Sequence, residues 1–132
     1  MTHVLLAIDD DEERARRQAR AVIDLDPEAV SVTILHVFSG NTEGASIGQF
    51  APARRADELL SAAGIDTTLA ETSGDPGEEV VGEAAAREVD LIAVAGRKRS
   101  PAGKAVFGSV AQEVMLNAEV PVLYCPPRGR TK

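Results

Sequence analysis

Between Gly96 and Phe107 the chain reads GRKRSPAGKAVF, so that Arg97, Lys98, Arg99 and Lys104 crowd together in a sequence whose formal net charge is −7. A local reversal of sign of this kind points to an anion site. Gly108-Ser109 follows at once and opens a helical pattern. The unpaired N–H groups and the dipole of a helix N-terminus favour a phosphate there, glycine permits close approach, and serine adds a hydroxyl donor. The alternative is that Ser109 only caps the helix and the basic side chains are solvated.

Other chemistries find little support. Gly103-Lys104 looks like the tail of a phosphate-binding P-loop, but Gly96 lies too far back for GxxxxGK, and Ala105 stands where a Ser or Thr would hold magnesium. A dinucleotide fingerprint would need GxGxxG after the first strand, and IDDDEE holds no glycine. His3 and His36 have no cysteine or second histidine beside them and read as satisfied histidines, with no role assigned. Cys125 has nothing in sequence to depress its pKa and reads as a structural thiol. The pairs Glu12-Glu13 and Glu78-Glu79 are adjacent on predicted helices, point in different directions and read as solvated faces. No catalytic residue and no metal ligand is assigned.

The elements that must position the basic loop follow from the apolar patterning. Val4 to Ile8 is an apolar run of strand length, uniform as in a strand covered on both faces. Asp9, Asp10 and Asp11 offer caps for a helix reaching about Leu25, where Asp26-Pro27 breaks it. Val30 to Phe38 is a second strand, rich in β-branched residues. Ser39 to about Gly48 is too polar and glycine-rich for regular structure. A helix is expected over Ala51 to Ala63 with Gly64 as its C-terminal cap, then a polar edge strand over Ile65 to Thr72. Pro76 fits the first turn of the next helix, whose inner face is Val80, Val81, Ala84 and Ala85. Asp90 to Ala95 is another apolar strand, Phe107 to about Asn117 a helix, and Val120 to Tyr124 the last strand.

This alternation predicts an α/β domain with a doubly wound parallel sheet, helices on both faces and right-handed crossovers. Ligands of such sheets bind beyond the carboxyl ends of the strands, where the winding reverses. Three places are nominated: Ala7 to Asp9, Val37 with the loop after it, and Ala95 to Ser109.

With 132 residues the chain fits a single domain over 1–127, followed by a short polar tail over 128–132. Its core is aliphatic: there is no Trp, one Tyr and three Phe, which is poor in stacking surface for nucleic-acid bases. The negative charge and a pI of about 4.8 disfavour a nucleic-acid backbone binder. A lone cysteine and an amino end without a signal peptide or membrane anchor suggest the cytoplasm. Only three of the 14 basic residues are lysines, against 21 acids. That surface fits either a high-salt, halophilic cytoplasm or an ordinary acidic protein from a GC-rich genome.

The first strand ending in Asp9, the strand ending in His36-Val37, the strand Leu91 to Ala95 and the block GKAVFGSVAQEVMLNAEVPVLYCP together resemble the universal stress protein family over nearly the whole chain. The resemblance implies a five-stranded parallel sheet of order 3-2-1-4-5, an adenine-nucleotide alpha hydrolase-like fold. Nucleotide-binding members carry glycine, two residues, glycine, nine residues, then glycine and Ser/Thr. Set on Gly108-Ser109, that pattern places its first two glycines on Ala95 and Lys98, so its later half matches and its earlier half does not. Gly96 lies one residue from the usual place, and Lys98 would supply charge where the family supplies bare backbone.

By resemblance the cofactor is ATP or a related adenine nucleotide, with magnesium entering only with bound nucleotide. Ala7, Ile8 and Asp9 would meet the adenosine end, with Ile8 and Val37 flanking the base. Ala95, Gly96, Arg97, Lys98, Gly108, Ser109 and Val110 would form the phosphate side. Asp9 reads equally as a helix cap, and Val37, Ile8 and Val110 as core. The last strand, short and apolar, would pair with its mate in a homodimer, as the family does. The expected function is a stress-response module that acts by conformation or partner binding. The alternatives are a regulatory dimer that binds no nucleotide and a slow ATPase or other nucleotide-using enzyme.

Overall fold

The computed structural model describes residues 1–38, 46–96, 98–99 and 105–126, with the backbone alone described at 98, 99, 105 and 106. The segment 128–132, expected as a tail, lies outside the described residues, as does Arg97. Strand β1 (Thr2–Ile8) leads into α1 (Glu12–Ile23), and β2 (Val30–Phe38) into α2 (Ala51–Ala62). Strand β3 (Asp66–Ser73) is followed by α3 (Pro76–Ala86), then β4 (Leu91–Ala95). A two-residue antiparallel pairing joins β5 (Lys98–Arg99) to β6 (Ala105–Val106) before α4 (Ser109–Asn117) and β7 (Val122–Cys125).

The main sheet has the order β3-β2-β1-β4-β7, and all its pairings are parallel. Counting its five strands along the chain gives 3-2-1-4-5, the expected order. The winding grows outward from β1 in one direction and from β4 in the other, so it reverses between these two strands.

The apolar runs divide by the two-residue period of a strand. Val4, Leu6 and Ile8 of β1 and Val32 and Ile34 of β2 pack with Ala15, Ala19 and Val22 of α1 and Ala53, Ala56 and Leu60 of α2. Leu5, Leu35, Val37, Ile92 and Val94 face the other way, onto Val80 and Ala84 of α3 and Ala111 and Val114 of α4. Such unbroken apolar strands require cover on both faces, and two helices on each side provide it.

Helix boundaries follow local chemistry. Asp11 is the N-cap of α1, accepting from the Arg14 N–H at 2.8 Å, and Asp75 caps α3 through the Glu78 N–H at 3.1 Å. Gly64 ends the α2 turn at φ +84°, a conformation that a side chain would oppose. Several expected bounds need adjustment: α4 begins at Ser109 rather than Phe107, and the last strand is Val122–Cys125 rather than Val120 to Tyr124. Helix α1 stops at Ile23 rather than Leu25, because the Asp24 and Leu25 N–H groups close the last turn on Arg20 and Val22. The stretch expected to be irregular up to Gly48 contains a 3-10 turn at Ile47–Gln49, fastened by the buried Ile47 and its N–H to Glu71.

Candidate functional site

At the reversal point the strands part. Strand β1 pairs with β2 as far as Ile8↔His36, but with β4 only as far as Leu6↔Ala93. Beyond that pair the backbone on the β4 side of β1 loses its ladder. Gln18, fully buried on α1, fills the gap: its Nε2 donates to the Ala7 carbonyl at 2.7 Å and to the Ala93 carbonyl at 3.3 Å. A buried backbone acceptor left unpaired is costly, so this one amide holds the splay open at a tolerable energy.

Above the splay lies a cleft of about 550 Å³, within the range of small-ligand sites. Ala7, Ile8, Val94 and Ala95 form its floor at the strand ends. His36, Val37, Phe38 and Phe50 make one wall, and Pro76, Val80, Val110 and Ala111 the other, with Asp9, Asp10 and Gly108 at the rim. Of the sequence-nominated residues, Ala7, Ile8, Asp9, Val37, Ala95, Gly108 and Val110 line this one cavity.

The others have different positions. Ser109 is exposed at the first position of α4, beside the lining residues Gly108 and Val110. Gly96 is buried and its N–H donates to the Cys125 carbonyl at 2.8 Å, so it extends the β4–β7 ladder instead of facing the cavity. Lys98 pairs through its backbone with Val106.

Asp9 is not the cap of α1, a role taken by Asp11. Its Oδ1 accepts from the Asp11 N–H at 3.0 Å and its Oδ2 from Arg14 Nε at 2.7 Å. The first contact is the two-residue side-chain turn typical of Asp, and it leads the chain from strand into helix while the carboxylate lines the cleft.

Gly108 precedes α4 in ordinary extended backbone, φ −73° and ψ 165°, and no side chain caps the helix. The first turn of α4 holds no acid, whereas α1 begins with Glu12 and Glu13 and α3 has Glu78 and Glu79. The first intrahelical bond runs from the Gln112 N–H to the Gly108 carbonyl at 3.0 Å, leaving the N–H groups of Ser109, Val110 and Ala111 without an intrahelical acceptor. Helix α2 also begins without a side-chain cap, at Phe50. Both helices therefore start uncapped at a cleft residue.

Sequence reasoning missed Asp10, His36, Phe38, Phe50, Pro76, Val80, Val94 and Ala111. His36 and Phe38 carried a usable signal, since they lie at the carboxyl end of a nominated strand, two residues apart on one face. Phe50 carried none, because only tertiary packing brings the start of α2 to β2. The other two expectations for single residues are met. His3 Nε2 is 2.7 Å from Thr33 Oγ1, and burial pushes the Cys125 thiol up to about 12, leaving it inert. Among the described residues, no group of three or more His, Cys, Asp or Glu side chains is arranged to hold a metal ion, and no helix is long and apolar enough to cross a membrane.

A model of the universal stress protein family matches residues 1–126. The chain belongs to that family. A universal stress protein of Mycolicibacterium smegmatis is 32% identical over 72 residues, which are 54% of this chain and 48% of that protein, so the match spans about half the length of this relative. Among solved structures, a universal stress protein from Archaeoglobus fulgidus superimposes with a TM-score of 0.77 at 26% identity, covering 94% of this chain and 98% of that one. A second, the Archaeoglobus fulgidus universal stress protein in complex with dAMP, gives a TM-score of 0.71 at 21% identity over 94% and 97% of the two chains. The sheet order is thus that of a universal stress protein fold, and the cleft of this family member opens at its winding reversal.

Proposed function

We propose that this universal stress protein family member binds an adenine nucleotide, ATP or a relative of it, in the cleft and acts by conformation or partner binding. One observation carries the reading: an apolar, aromatic-walled cavity runs directly into an uncapped, acid-free helix N-terminus at Gly108 and Ser109. The first suits a base and the second a phosphate. The base lies against Ile8, Val37 and the aromatic wall, the ribose by Asp9, and the phosphates at the start of α4 with the basic segment that precedes it. Magnesium enters only with the nucleotide. The Archaeoglobus relative with bound dAMP supports the choice of an adenine ligand.

Calorimetric titration with ATP, ADP and AMP tests the proposal. Binding at millimolar or lower concentration, weakened in Ser109→Ala and Lys98→Ala, is expected. No uptake at several millimolar of any of the three would refute it and favour the second reading, a regulatory dimer without nucleotide. That reading draws on Ala95 and Lys98, which stand where nucleotide-binding members carry glycine.

The reading includes a cytoplasmic homodimer formed along the last strand, expected over Val120 to Tyr124 and found as β7, Val122–Cys125. Strand β7 is the outer strand of the sheet, with β4 as its one neighbour among the described residues. An outer strand is a ready template for pairing with a second copy. Light scattering at micromolar protein, in physiological and in molar salt, is expected to give twice the chain mass.

A further inference from the structure

Two of the three phenylalanines of the chain, Phe38 and Phe50, meet at one wall of the cleft around His36. The His36 and Phe50 rings stack with centroids 4.2 Å apart at 27°, and Phe38 meets His36 edge-on at 4.6 Å and 83°. These contacts fix the plane of the imidazole. Its rotation within that plane is set by Nδ1, which lies 3.0 Å from the Ile8 carbonyl oxygen.

A carbonyl oxygen only accepts, so Nδ1 carries the proton and Nε2 of the neutral ring is left as a bare acceptor. The two nitrogens point to nearly opposite sides of the ring, so Nε2 is turned away from the end of β1. Among the described residues no group donates to it, and the phenyl rings of Phe38 and Phe50 packed against the imidazole have no donor.

We infer that His36 is a specificity-determining residue of the cleft: Nε2 accepts a hydrogen bond from the exocyclic amino group of a bound purine and so selects 6-amino over 6-oxo purine nucleotides. The inference rests on the nucleotide reading above. A 6-oxo base would set acceptor against acceptor and leave both unpaired, the situation in which polar sites discriminate best. The phenylalanines add stacking area without discrimination, because every base has a π-face.

Titration of AMP and IMP into the wild type, His36→Asn and His36→Phe at pH 8 tests this. The Asn amide nitrogen can take the place of Nδ1 on the Ile8 carbonyl but leaves nothing at Nε2. Phenylalanine keeps a stacked ring and removes both nitrogens. The wild type is expected to bind AMP about tenfold more tightly than IMP, the scale of one hydrogen bond. In both variants the ratio is expected to fall to within about twofold, mainly through weaker AMP binding. Should one variant not fold, the other carries the comparison. Wild-type binding of AMP with no preference over IMP, or a preference unchanged in the folded variants, overturns the role of His36 and leaves the nucleotide reading standing. Failure of the wild type to bind AMP, ADP or ATP overturns both.

Discussion

Arg14 reaches back across the first turn of α1 and places its Nε 2.7 Å from Oδ2 of Asp9, with its other guanidinium nitrogens 3.7 Å from Asp10 and from Asp11. One cation thereby serves three successive carboxylates, two of which line the cleft. The Asp9 contact counts most, because both side chains are largely shielded, at 19% and 28% exposure, while Asp10 is 84% exposed and screened by water. Replacing Arg14 by Met keeps the apolar stem and removes the charge. The expected loss is about 1–2 kcal/mol, the scale of a charge-assisted hydrogen bond, read from urea unfolding. Added salt should recover part of it by screening the remaining carboxylates.

Gln18→Leu fills the same space but leaves the Ala7 and Ala93 carbonyls without the amide that bridges them. Losing these two hydrogen bonds, one buried and one part-buried, predicts destabilisation by roughly 1–2 kcal/mol, because the substitution also removes the buried, unpaired Gln18 Oε1. Nucleotide affinity should fall as well, since Ala7 lies in the cleft floor. Stability equal to wild type together with unchanged nucleotide affinity would show that Gln18 does not hold the splay.

Ser109→Glu separates helix stability from ligand binding. An acid in the first turn of α4 interacts favourably with the helix dipole and should leave stability unchanged or raise it by about 0.5 kcal/mol. The same carboxylate repels a phosphate at that end. The expected result is an unfolding midpoint at or above wild type together with at least a tenfold loss of AMP affinity by calorimetry. Retained affinity would place the phosphate elsewhere.

Burial raises the Cys125 pKa from 9.0 to about 12, so between these values the folded chain holds a proton that the unfolded chain has released. Below pH 9 the thiol contributes no pH dependence. Above it, stability falls as pH rises, by up to about 1.4 kcal/mol per pH unit, until the folded thiol also ionises near pH 12. Cys125→Ala should flatten this component in denaturant melts from pH 8.5 to 10.5. Native protein at pH 8 should label with a thiol reagent only as fast as it opens.

Much of this molecule was legible along the chain. The uniform apolar runs Val4 to Ile8 and Leu91 to Ala95 called for cover on both faces, and the structure supplies α1 and α2 on one side and α3 and α4 on the other. The polar β3 sits at the sheet edge as its composition required. The cleft was less legible. Its floor was nominated because strand ends can be read from periodicity, but half of its walls come from residues whose neighbours are distant in sequence. Ile8 meets His36 across 28 positions, and Phe50 reaches His36 across 14.

By itself the sequence determined the alternation of strand and helix, the family, and the local charge reversal before Gly108-Ser109, because each is written in neighbouring residues or in their spacing. Composition also suggested a chain poor in aromatic surface. Only the tertiary structure decided that Phe38, Phe50 and His36 share one wall, that Asp9 is held by Arg14 while Asp11 caps the helix, and that Gln18 bridges the parted strands. The physical reason is common to all three. Side-chain direction and the choice among equivalent hydrogen-bond partners are set by where the sheet register ends, and that register depends on contacts between residues far apart in the chain.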